Sequence, residues 1–277
     1  MTFKEYVCPG SLKEAWELNQ KKNNRIVAGN MWLRMGKGSY GKLIDLSGLG
    51  LDKIEDSENE LRIGAMVTLR ELEENEAVDR LTGGVMKEVL KYIVGTQFRN
   101  TATVGGSVYS RFGFSDVGNI LMALGAEVEF YKAGRIDFET FYASARNDDI
   151  LTAVYLKKEP LKLKYFVKRN TATSLPLLNV AVAADGTEVR VCIGARPGRA
   201  KCVHLDKTEL ENMVNREKSG DITKDSCEVP EIVDNAFGEI IGNCLHSVRF
   251  GTNSYASADY RRHLAEAFVK KGIIGVL

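Results

Sequence analysis

The sequence predicts an α+β protein built in two parts, with a change of character near residue 160. Before that point, apolar residues at helical spacing alternate with short strand patterns. After it, residues 178–184 and 189–193 form two strand patterns around Asp185-Gly186, a dipeptide typical of hairpin turns. We therefore expect a mixed N-terminal part, a boundary at residues 158–164, and a C-terminal antiparallel sheet covered by helices.

The N-terminal part opens with a predicted helix, because Ser11-x-x-Glu14 has the capping-box pattern in front of an apolar stripe. Thr68-x-x-Glu71 is a second capping box, and residues 86–93 continue with helical spacing. A further helix is predicted to begin at Asp116. It ends before Gly125, because glycine suits the left-handed backbone position that follows a helix end. Strands are predicted at residues 26–28, 43–46, 61–65, 128–131 and 150–156.

The C-terminal part begins with alternating apolar and basic residues at 161–168, a pattern typical of a strand. Helical patterns follow the predicted hairpin at residues 205–214 and 232–241. A last helix is predicted at residues 258–271, with Gly272 as its stop.

Composition excludes several classes of partner. The 277 residues suffice for one substantial core or two modest ones. The 38 basic and 37 acidic residues give a net charge of +1, which argues against nucleic acid or an anionic membrane as the main partner. No apolar run approaches the roughly 20 residues of a membrane span, and no secretory signal is visible.

Cysteine and histidine usage predicts no metal on this chain. The five cysteines are widely spaced and contain no C-x-x-C pair, so free thiols in a reducing, cytoplasmic compartment are expected. An iron–sulfur cluster would need clustered thiolates. The three histidines share no ligand spacing, which argues against a zinc site.

The first candidate binding segment is IVAGNMWLR, residues 26–34, where a strand runs into a loop at Gly29-Asn30. Successive backbone N–H groups in such a turn can form an anion-binding nest. Asn30 tolerates left-handed backbone geometry and can donate a hydrogen bond. An ordinary strand-to-loop turn is the alternative interpretation.

The second candidate is the polar stretch at residues 99–107, RNTATVGGS, followed by Ser115-Asp116. Paired glycines leave backbone N–H groups open to an anion, and the many small hydroxyls suit phosphate and ribose oxygens. The carboxylate of Asp116 suits a ribose hydroxyl, although a helix N-cap would explain it equally. A glycine hairpin in a β domain remains the alternative for the whole stretch.

Neither segment matches the usual nucleotide fingerprints. The chain has no G-x-G-x-x-G between a strand and a helix, and Gly36-Lys37-Gly38 lacks the rest of a Walker A motif. A nucleotide site here therefore requires a different fold.

Five blocks, in order, resemble the FAD-binding subunit of the xanthine dehydrogenase and carbon monoxide dehydrogenase family of molybdenum hydroxylases. They cover nearly the whole chain and comprise VAGN at 27–30, LRIGAMVTLRELE at 61–73, QFRNTATVGGSV at 97–108 with Ser115-Asp116 and LMALGAEV, LLNVAVAADG at 177–186, and SADYRRHLAEAFV at 257–269.

The resemblance implies a two-part FAD-binding domain of the vanillyl-alcohol-oxidase (PCMH) type at residues 1–160, with subdomains of about 1–56 and 57–160. A C-terminal α+β domain of the carbon monoxide dehydrogenase flavoprotein type would follow at 161–277. The backbone of residues 28–33 would hold the pyrophosphate, the glycine stretch would line the other side of the FAD, and Ser115-Asp116 would hold the adenosine end. The cofactor-binding residues implied are Val27, Ala28, Gly29, Asn30, Met31, Trp32, Leu33, Ala102, Thr103, Gly105, Gly106, Ser107, Ser110, Ser115, Asp116 and Lys168.

The chain departs from the family pattern in three places. Many bacterial members have A-G-G-T-D in the first loop, where this chain has AGNMW, although a Gly-Asn version occurs in animal-type enzymes. Ser107 replaces an asparagine after the paired glycines, and Gly113 replaces a proline before Ser-Asp. The segment YSRFGF at 109–114 is therefore either a divergent surface loop or, in our hypothesis, a segment that shapes access to the flavin through Arg111. Lys168 is nearest in kind to a lysine that the family places near the flavin ring.

The function implied is electron transfer by a non-covalently bound FAD. Partner subunits would carry the 2Fe-2S clusters and the molybdenum cofactor, and NAD⁺ or another acceptor would take the electrons. No catalytic residue is expected on this chain. A free-standing FAD-dependent reductase or oxidase of the same fold is one alternative, and a non-catalytic flavin-binding protein is another.

Overall fold

The computed structural model describes residues 1–145, 147–212 and 231–277, the last range without the side chains of 231–237. Its strands form three sheets in the orders β1-β3-β2, β4-β5-β8-β6-β7 and β12-β11-β10-β9. The strands are β1 Thr2–Val7, β2 Arg25–Val27, β3 Ser39–Asp45, β4 Ile54–Asp56, β5 Glu60–Gly64, β6 Glu127–Phe130, β7 Gly134–Asp137, β8 Leu151–Lys157, β9 Lys162–Lys168, β10 Leu178–Ala184, β11 Glu188–Gly194 and β12 Lys201–Asp206.

The helices of the N-terminal part are short and begin mostly at polar caps. They are α1 Leu12–Asn19, α2 Leu69–Glu74, α3 Glu76–Thr82, α4 Val85–Leu90, α5 Thr96–Arg99, α6 Val104–Tyr109, α7 Asp116–Ala123 and α8 Phe138–Ala143. The predicted capping box at Thr68 is present: the Thr68 hydroxyl accepts the Glu71 backbone N–H, and the Glu71 carboxylate accepts the Thr68 backbone N–H. The C-terminal part adds α9 Glu231–His246 and α10 Ala258–Val276.

The first sheet is parallel, and it begins with a strand that sequence analysis missed. β1 pairs with β3, which also pairs with β2. Almost every side chain of β1 is exposed, so its sequence lacks the alternation of apolar and polar residues that indicates a strand. Sequence analysis was therefore wrong to open the chain with a helix.

The C-terminal sheet is antiparallel throughout and is covered on one face by α9 and α10, as predicted. Gly272 does not stop the last helix, which continues to Val276. A Cβ at Gly272 would overlap the side chain of Val182, so this glycine lets α10 lie close to β10. The helix predicted at 205–214 is displaced: Leu205 belongs to β12, residues 207–212 are helical, and 213–214 lie outside the described residues.

The opposite face of the C-terminal sheet packs on the helices of the N-terminal part. Ala181, Ala183 and Cys192 belong to the same apolar core as α7 and the five-stranded sheet. Fully buried Asn119 of α7 donates to Asn179 of β10 at 3.1 Å. The two parts therefore share one core.

Cysteines and helix lengths complete the picture of the described chain. Cys8, Cys192, Cys202 and Cys244 are free thiols, and Cys227 lies outside the described residues. Every described helix is too short or too polar to cross a lipid bilayer.

Candidate functional site

A cleft of about 650 Å³ lies where the two candidate segments meet. Its volume is in the range of small-molecule and cofactor sites. The structure brings to its wall every predicted cofactor-binding residue except Lys168, namely Val27, Ala28, Gly29, Asn30, Met31, Trp32, Leu33, Ala102, Thr103, Gly105, Gly106, Ser107, Ser110, Ser115 and Asp116.

The cleft also has walls that sequence reasoning missed. Residues 147–151 line one side, and Arg169 with residues 173–175 lines another. These segments carry no glycine pattern or hydroxyl cluster that would indicate a site. Lys168 lies at the exposed end of β9 and is not a lining residue, whereas the adjacent Arg169 is.

The first loop leaves β2 and packs directly on the second segment. A Cβ at Gly29 would overlap the backbone carbonyl of Thr101, so only glycine permits this approach. Asn30 follows with a φ of 54°, the left-handed conformation that asparagine tolerates. The chain thereby turns into a single 3-10 turn, Leu33–Met35.

This turn leaves polar groups of the loop without partners. Among the described residues, the backbone N–H groups of residues 29–32 donate no hydrogen bond, while the Asn30 carbonyl accepts one from Arg34. The side-chain Oδ1 of Asn30 is buried and also unpartnered. Because buried polar groups are nearly always hydrogen-bonded, the buried Asn30 Oδ1, next to N–H groups that donate no bond, indicates a place for a polar ligand.

The paired glycines differ from expectation, because they lie inside helix α6 and their N–H groups are already used. Gly105 donates to Ala65 at 2.8 Å and Gly106 to the Thr103 hydroxyl at 3.1 Å. A Cβ at Gly105 would come within 2.6 Å of the Ala65 carbonyl, whereas one at Gly106 would meet only Thr103 Oγ1 at 3.2 Å. The prediction that the glycine N–H groups are open was therefore wrong. Gly105 permits close packing of α6 on Ala65. Gly106, which has no side chain, leaves room in the cleft above α6.

The hydroxyls around the cleft fall into two groups. Those of Thr103 and Ser115 accept backbone N–H groups as helix N-caps; Ser115 also hydrogen-bonds to Tyr142, whereas the Thr103 proton stays available for a ligand. Those of Ser107 and Ser110 donate to carbonyls of the preceding turn, at 2.9 and 2.6 Å. Ser107 and Ser110 can therefore offer lone pairs in this arrangement, and no proton.

Asp116 is the polar centre of the C-terminal wall. Ser115 is the cap of α7, so the interpretation of Asp116 as an N-cap was wrong. The Asp116 carboxylate is 5% exposed and accepts three side-chain hydrogen bonds, from Tyr165 at 2.5 Å, Arg169 at 2.5 Å and Asn179 at 3.0 Å. Burial, reinforced by this carboxylate, raises the pKa of Tyr165 well above its usual range.

The Asp116 contacts join the cleft to the C-terminal sheet, since Tyr165 belongs to β9 and Asn179 to β10. Arg169 also donates to the Ser174 carbonyl at 2.5 Å, while its Nε is buried without a partner. A second unpartnered buried group therefore lies on a residue of the cleft wall.

An aromatic cluster stands at the cleft beside the first loop. The rings of Phe112 and Phe114 stack at 5.0 Å, and Trp32 packs on both at 5.6 and 5.5 Å. All three residues line the cleft, and Trp32 keeps 38% of its surface exposed. These rings join the end of the first loop to segment 109–114 and give the cleft an apolar wall.

Arg111 points away from this cluster, into the protein. It is 5% exposed, its guanidinium lies 4.1 Å from the centre of the Phe141 ring, and its Nε donates to the Phe141 carbonyl at 3.1 Å. Its φ of 47° turns the chain between α6 and Phe112. Arg111 therefore ties the segment to α8 and does not line the cleft.

Comparison with known proteins gives the cleft a family context. The FAD-binding domain of molybdopterin dehydrogenases matches residues 1–157, more than half of the chain. The nicotine 6-hydroxylase medium subunit of Paenarthrobacter nicotinovorans is 25% identical over 97% of this chain and 95% of its own length.

Solved structures share the fold over their whole length. Quinoline 2-oxidoreductase from Pseudomonas putida 86 matches with a TM-score of 0.77 and 20% identity, covering 99% of this chain and 96% of that one. Reconstituted CO dehydrogenase from Oligotropha carboxidovorans matches with a TM-score of 0.77 and 18% identity, covering 99% and 97%. The chain thus belongs to the FAD-binding family of molybdopterin dehydrogenases, and it carries an FAD-binding domain.

Proposed function

We propose that this chain is the FAD-carrying electron-transfer subunit of a multi-subunit, xanthine dehydrogenase-like molybdenum hydroxylase. In this role it receives electrons from 2Fe-2S clusters and passes them to NAD⁺ or another acceptor. An iron–sulfur subunit and a molybdopterin subunit are its partners in the cytoplasm. The observation that carries the proposal is the cleft between two loops in a chain of this family.

The residues of the cleft fit an FAD. The unpartnered N–H groups of residues 29–32 supply donors for a pyrophosphate, and the unpartnered Asn30 Oδ1 and Arg169 Nε supply one acceptor and one donor more. A bound FAD supplies reversible electron transfer, whereas the protein supplies position and electrostatics. The residues that line the cleft include no cysteine or histidine to which the flavin could be covalently attached, so we expect the FAD to be released by denaturation.

Individual residues take distinct roles in the proposed site. The backbone of residues 28–33 holds the pyrophosphate, and the absence of a side chain at Gly106 lets the cofactor approach α6. Asp116 Oδ2 accepts only the Arg169 bond, so it keeps an acceptor position for a ribose hydroxyl at the adenosine end. Lys168 is proposed to approach the flavin only in the assembled complex, because it lies outside the cleft of the single chain.

The proposed domain division follows the same arrangement. Residues 1–160 form the FAD-binding domain, with subdomains of about 1–56 and 57–160 that meet at the cleft. Residues 161–277 form the C-terminal domain, which contributes Arg169 and the partners of Asp116. The support for this division is the family match, which ends at residue 157.

Purification of the chain from its native host, with its partners, tests the function. We expect a yellow protein whose FAD is released by acid, accompanied by two further subunits that contain iron and molybdenum. Reduced flavin should then be reoxidised on addition of NAD⁺ or an artificial acceptor. A chain that stays colourless and shows no thermal shift with FAD would contradict the proposal. A yellow monomer that oxidises or reduces a small substrate alone would favour the free-standing enzyme.

A substitution at Gly106 tests whether the cofactor lies against α6. Gly106→Ala adds a Cβ that meets only Thr103 Oγ1, so the free energy of unfolding should change by less than about 1 kcal/mol. FAD affinity should fall roughly tenfold, because the methyl group stands in the cofactor's place. Titration with FAD and urea denaturation measure the two effects. Gly48→Ala, at an open position that is not among the cleft-lining residues, is the control and should alter neither.

We propose that segment 109–114 shapes access to the flavin through Phe112 and Phe114, which line the cleft, and not through Arg111. Arg111→Ala should lower the free energy of unfolding by about 2 kcal/mol, since it removes a buried cation–π contact and its hydrogen bonds. The folded variant should keep its FAD affinity. Phe114→Ala should instead change the rate of flavin reoxidation, measured by stopped-flow absorbance. Unchanged reoxidation in Phe114→Ala would contradict the access role.

A further inference from the structure

Strand pairing in the C-terminal sheet places two cysteines side by side. Cys192 of β11 and Cys202 of β12 are direct cross-strand partners, and their sulfur atoms are 2.7 Å apart. Cys192 is fully buried, and Cys202 is 8% exposed. Both face the N-terminal helices, since both belong to the core that contains α8.

Two further metal-ligating side chains reach the same place. His204 lies two residues beyond Cys202 on β12, and Glu139 lies on α8. The ligand atoms of Glu139, Cys202 and His204 all lie within 4.8 Å of one another, and His204 Nε2 is 2.8 Å from Glu139 Oε1. Sulfur, imidazole nitrogen and carboxylate oxygen therefore converge from two different parts of the chain.

A second carboxylate orients the imidazole. His204 Nδ1 lies 2.9 Å from Glu188 Oε2 and Nε2 lies 2.8 Å from Glu139 Oε1, so the protonated ring donates to both carboxylates. Loss of the Nε2 proton to an entering metal frees that lone pair, while Nδ1 keeps its bond to Glu188. Carboxylates that hold the remote nitrogen in this way are the usual support of a histidine metal ligand. The nearby Arg190 donates from Nε to the Ala123 carbonyl and from Nη1 to Asp185 and Glu188.

We propose that Cys202, His204 and Glu139, joined by the neighbouring Cys192 as a fourth ligand that moves toward His204 and Glu139 on binding, form a structural zinc site. Two thiolates, one imidazole and one carboxylate supply four ligands of the types that bind zinc, enough for a tetrahedral site. Zn–S bonds of about 2.3 Å in a tetrahedron place the sulfur atoms roughly 3.8 Å apart, so the cysteine side chains separate by about 1 Å on binding. The two thiols and any imidazolium release their protons as the metal enters.

The exposure of the ligands allows the ion to enter. The side chains of His204 and Glu139 are 48% and 34% exposed, whereas the sulfur atoms lie beneath them. The occupied site would link α8 of the N-terminal part to two strands of the C-terminal sheet. A disulfide between Cys192 and Cys202 is the competing outcome, but it would make no use of the oriented His204 and Glu139.

Zinc content and metal spectra of the full chain test the site. Protein purified under reducing conditions and dialysed against limiting ZnCl₂ should retain stoichiometric zinc, and Co²⁺ should give a thiolate charge-transfer band. His204→Gln and Cys202→Ser should lose the zinc and the band. Glu188→Gln should weaken zinc binding roughly 10–100-fold through the imidazole alone. Cys8→Ser and His263→Gln, which alter exposed residues away from the cluster, should bind as the unaltered chain does.

Folding of the variants is checked by their FAD content and thermal unfolding. Because the His204 side chain is about half exposed, we expect His204→Gln to fold even if the cysteine variants do not. Sub-stoichiometric zinc in the unaltered chain would overturn the proposal. So would equal zinc binding in His204→Gln, or a Cys192–Cys202 disulfide found by mass spectrometry in protein that resists reduction and binds no Co²⁺.

Discussion

Gly29→Ala is expected to abolish stoichiometric FAD binding and to destabilise the protein. The added Cβ would overlap the Thr101 carbonyl, and a backbone atom cannot rotate aside as a side chain can. Overpacking of this kind costs typically about 1–3 kcal/mol, and we expect the upper end of that range. Because the loop must move away from the second segment, FAD affinity should fall roughly 100-fold, the equivalent of about 2.7 kcal/mol.

Two matched variants separate the effect on the cleft from the effect on folding. Gly272→Ala also forces an overlap, with Val182, but it lies between α10 and the C-terminal sheet. It should lower the free energy of unfolding and leave the FAD affinity of the folded protein unchanged. Gly48→Ala should do neither. Normal FAD binding by Gly29→Ala would show that the two loops can separate without harm, contrary to the proposed site.

Asp116→Asn is the second substitution with a large expected effect. It leaves the Arg169 guanidinium, 9% exposed, without its ionic partner. Removing one member of a buried pair costs about 3–5 kcal/mol, because the remaining charge stays desolvated. For a chain of this size the melting temperature should fall by roughly 10 °C, as calorimetry of the FAD-free protein would measure.

A double variant distinguishes the charge from the shape of the side chain. Asp116→Asn combined with Arg169→Met removes both charges and should recover most of the lost stability. Glu60→Gln is the control, since it breaks an ion pair with Arg135 at which both side chains are about a third or more exposed. That change should cost less than about 1 kcal/mol. A similarly small effect of Asp116→Asn would show that the buried pair contributes little.

The two loop segments of the cleft were predictable because each carries a local signal, whereas residues 147–151, Arg169 and 173–175 carry none. Gly29 and Asn30 follow the short strand β2, and the caps Ser11 and Thr68 directly precede the helices that begin at Leu12 and Leu69. The partners of Asp116 were not predictable from the residues, since Tyr165, Arg169 and Asn179 lie 49 to 63 residues away. Only the register of β9 and β10 brings them to the end of α7.

Strand register also explains why sequence analysis did not group the cysteines and histidine of the C-terminal sheet. Cys192, Cys202 and His204 have no spacing typical of metal ligands, and sequence analysis predicted no metal for that reason. The β11–β12 pairing sets the two cysteines opposite each other, and the packing of α8 brings Glu139 to them. A strand register cannot be deduced from residue spacing when the strand itself, β12, is not predicted.

The shared core between the two parts limits how the protein can be divided in the laboratory. A cut near residue 160 would expose Ala181, Ala183 and Cys192 on one fragment and the facing apolar surface of α7 on the other. It would also strip Asp116 of all three side-chain partners at once. Fragments made at this boundary should therefore aggregate or stay unfolded, and the intact chain should melt as one cooperative unit, with FAD protecting the C-terminal strands from hydrogen exchange.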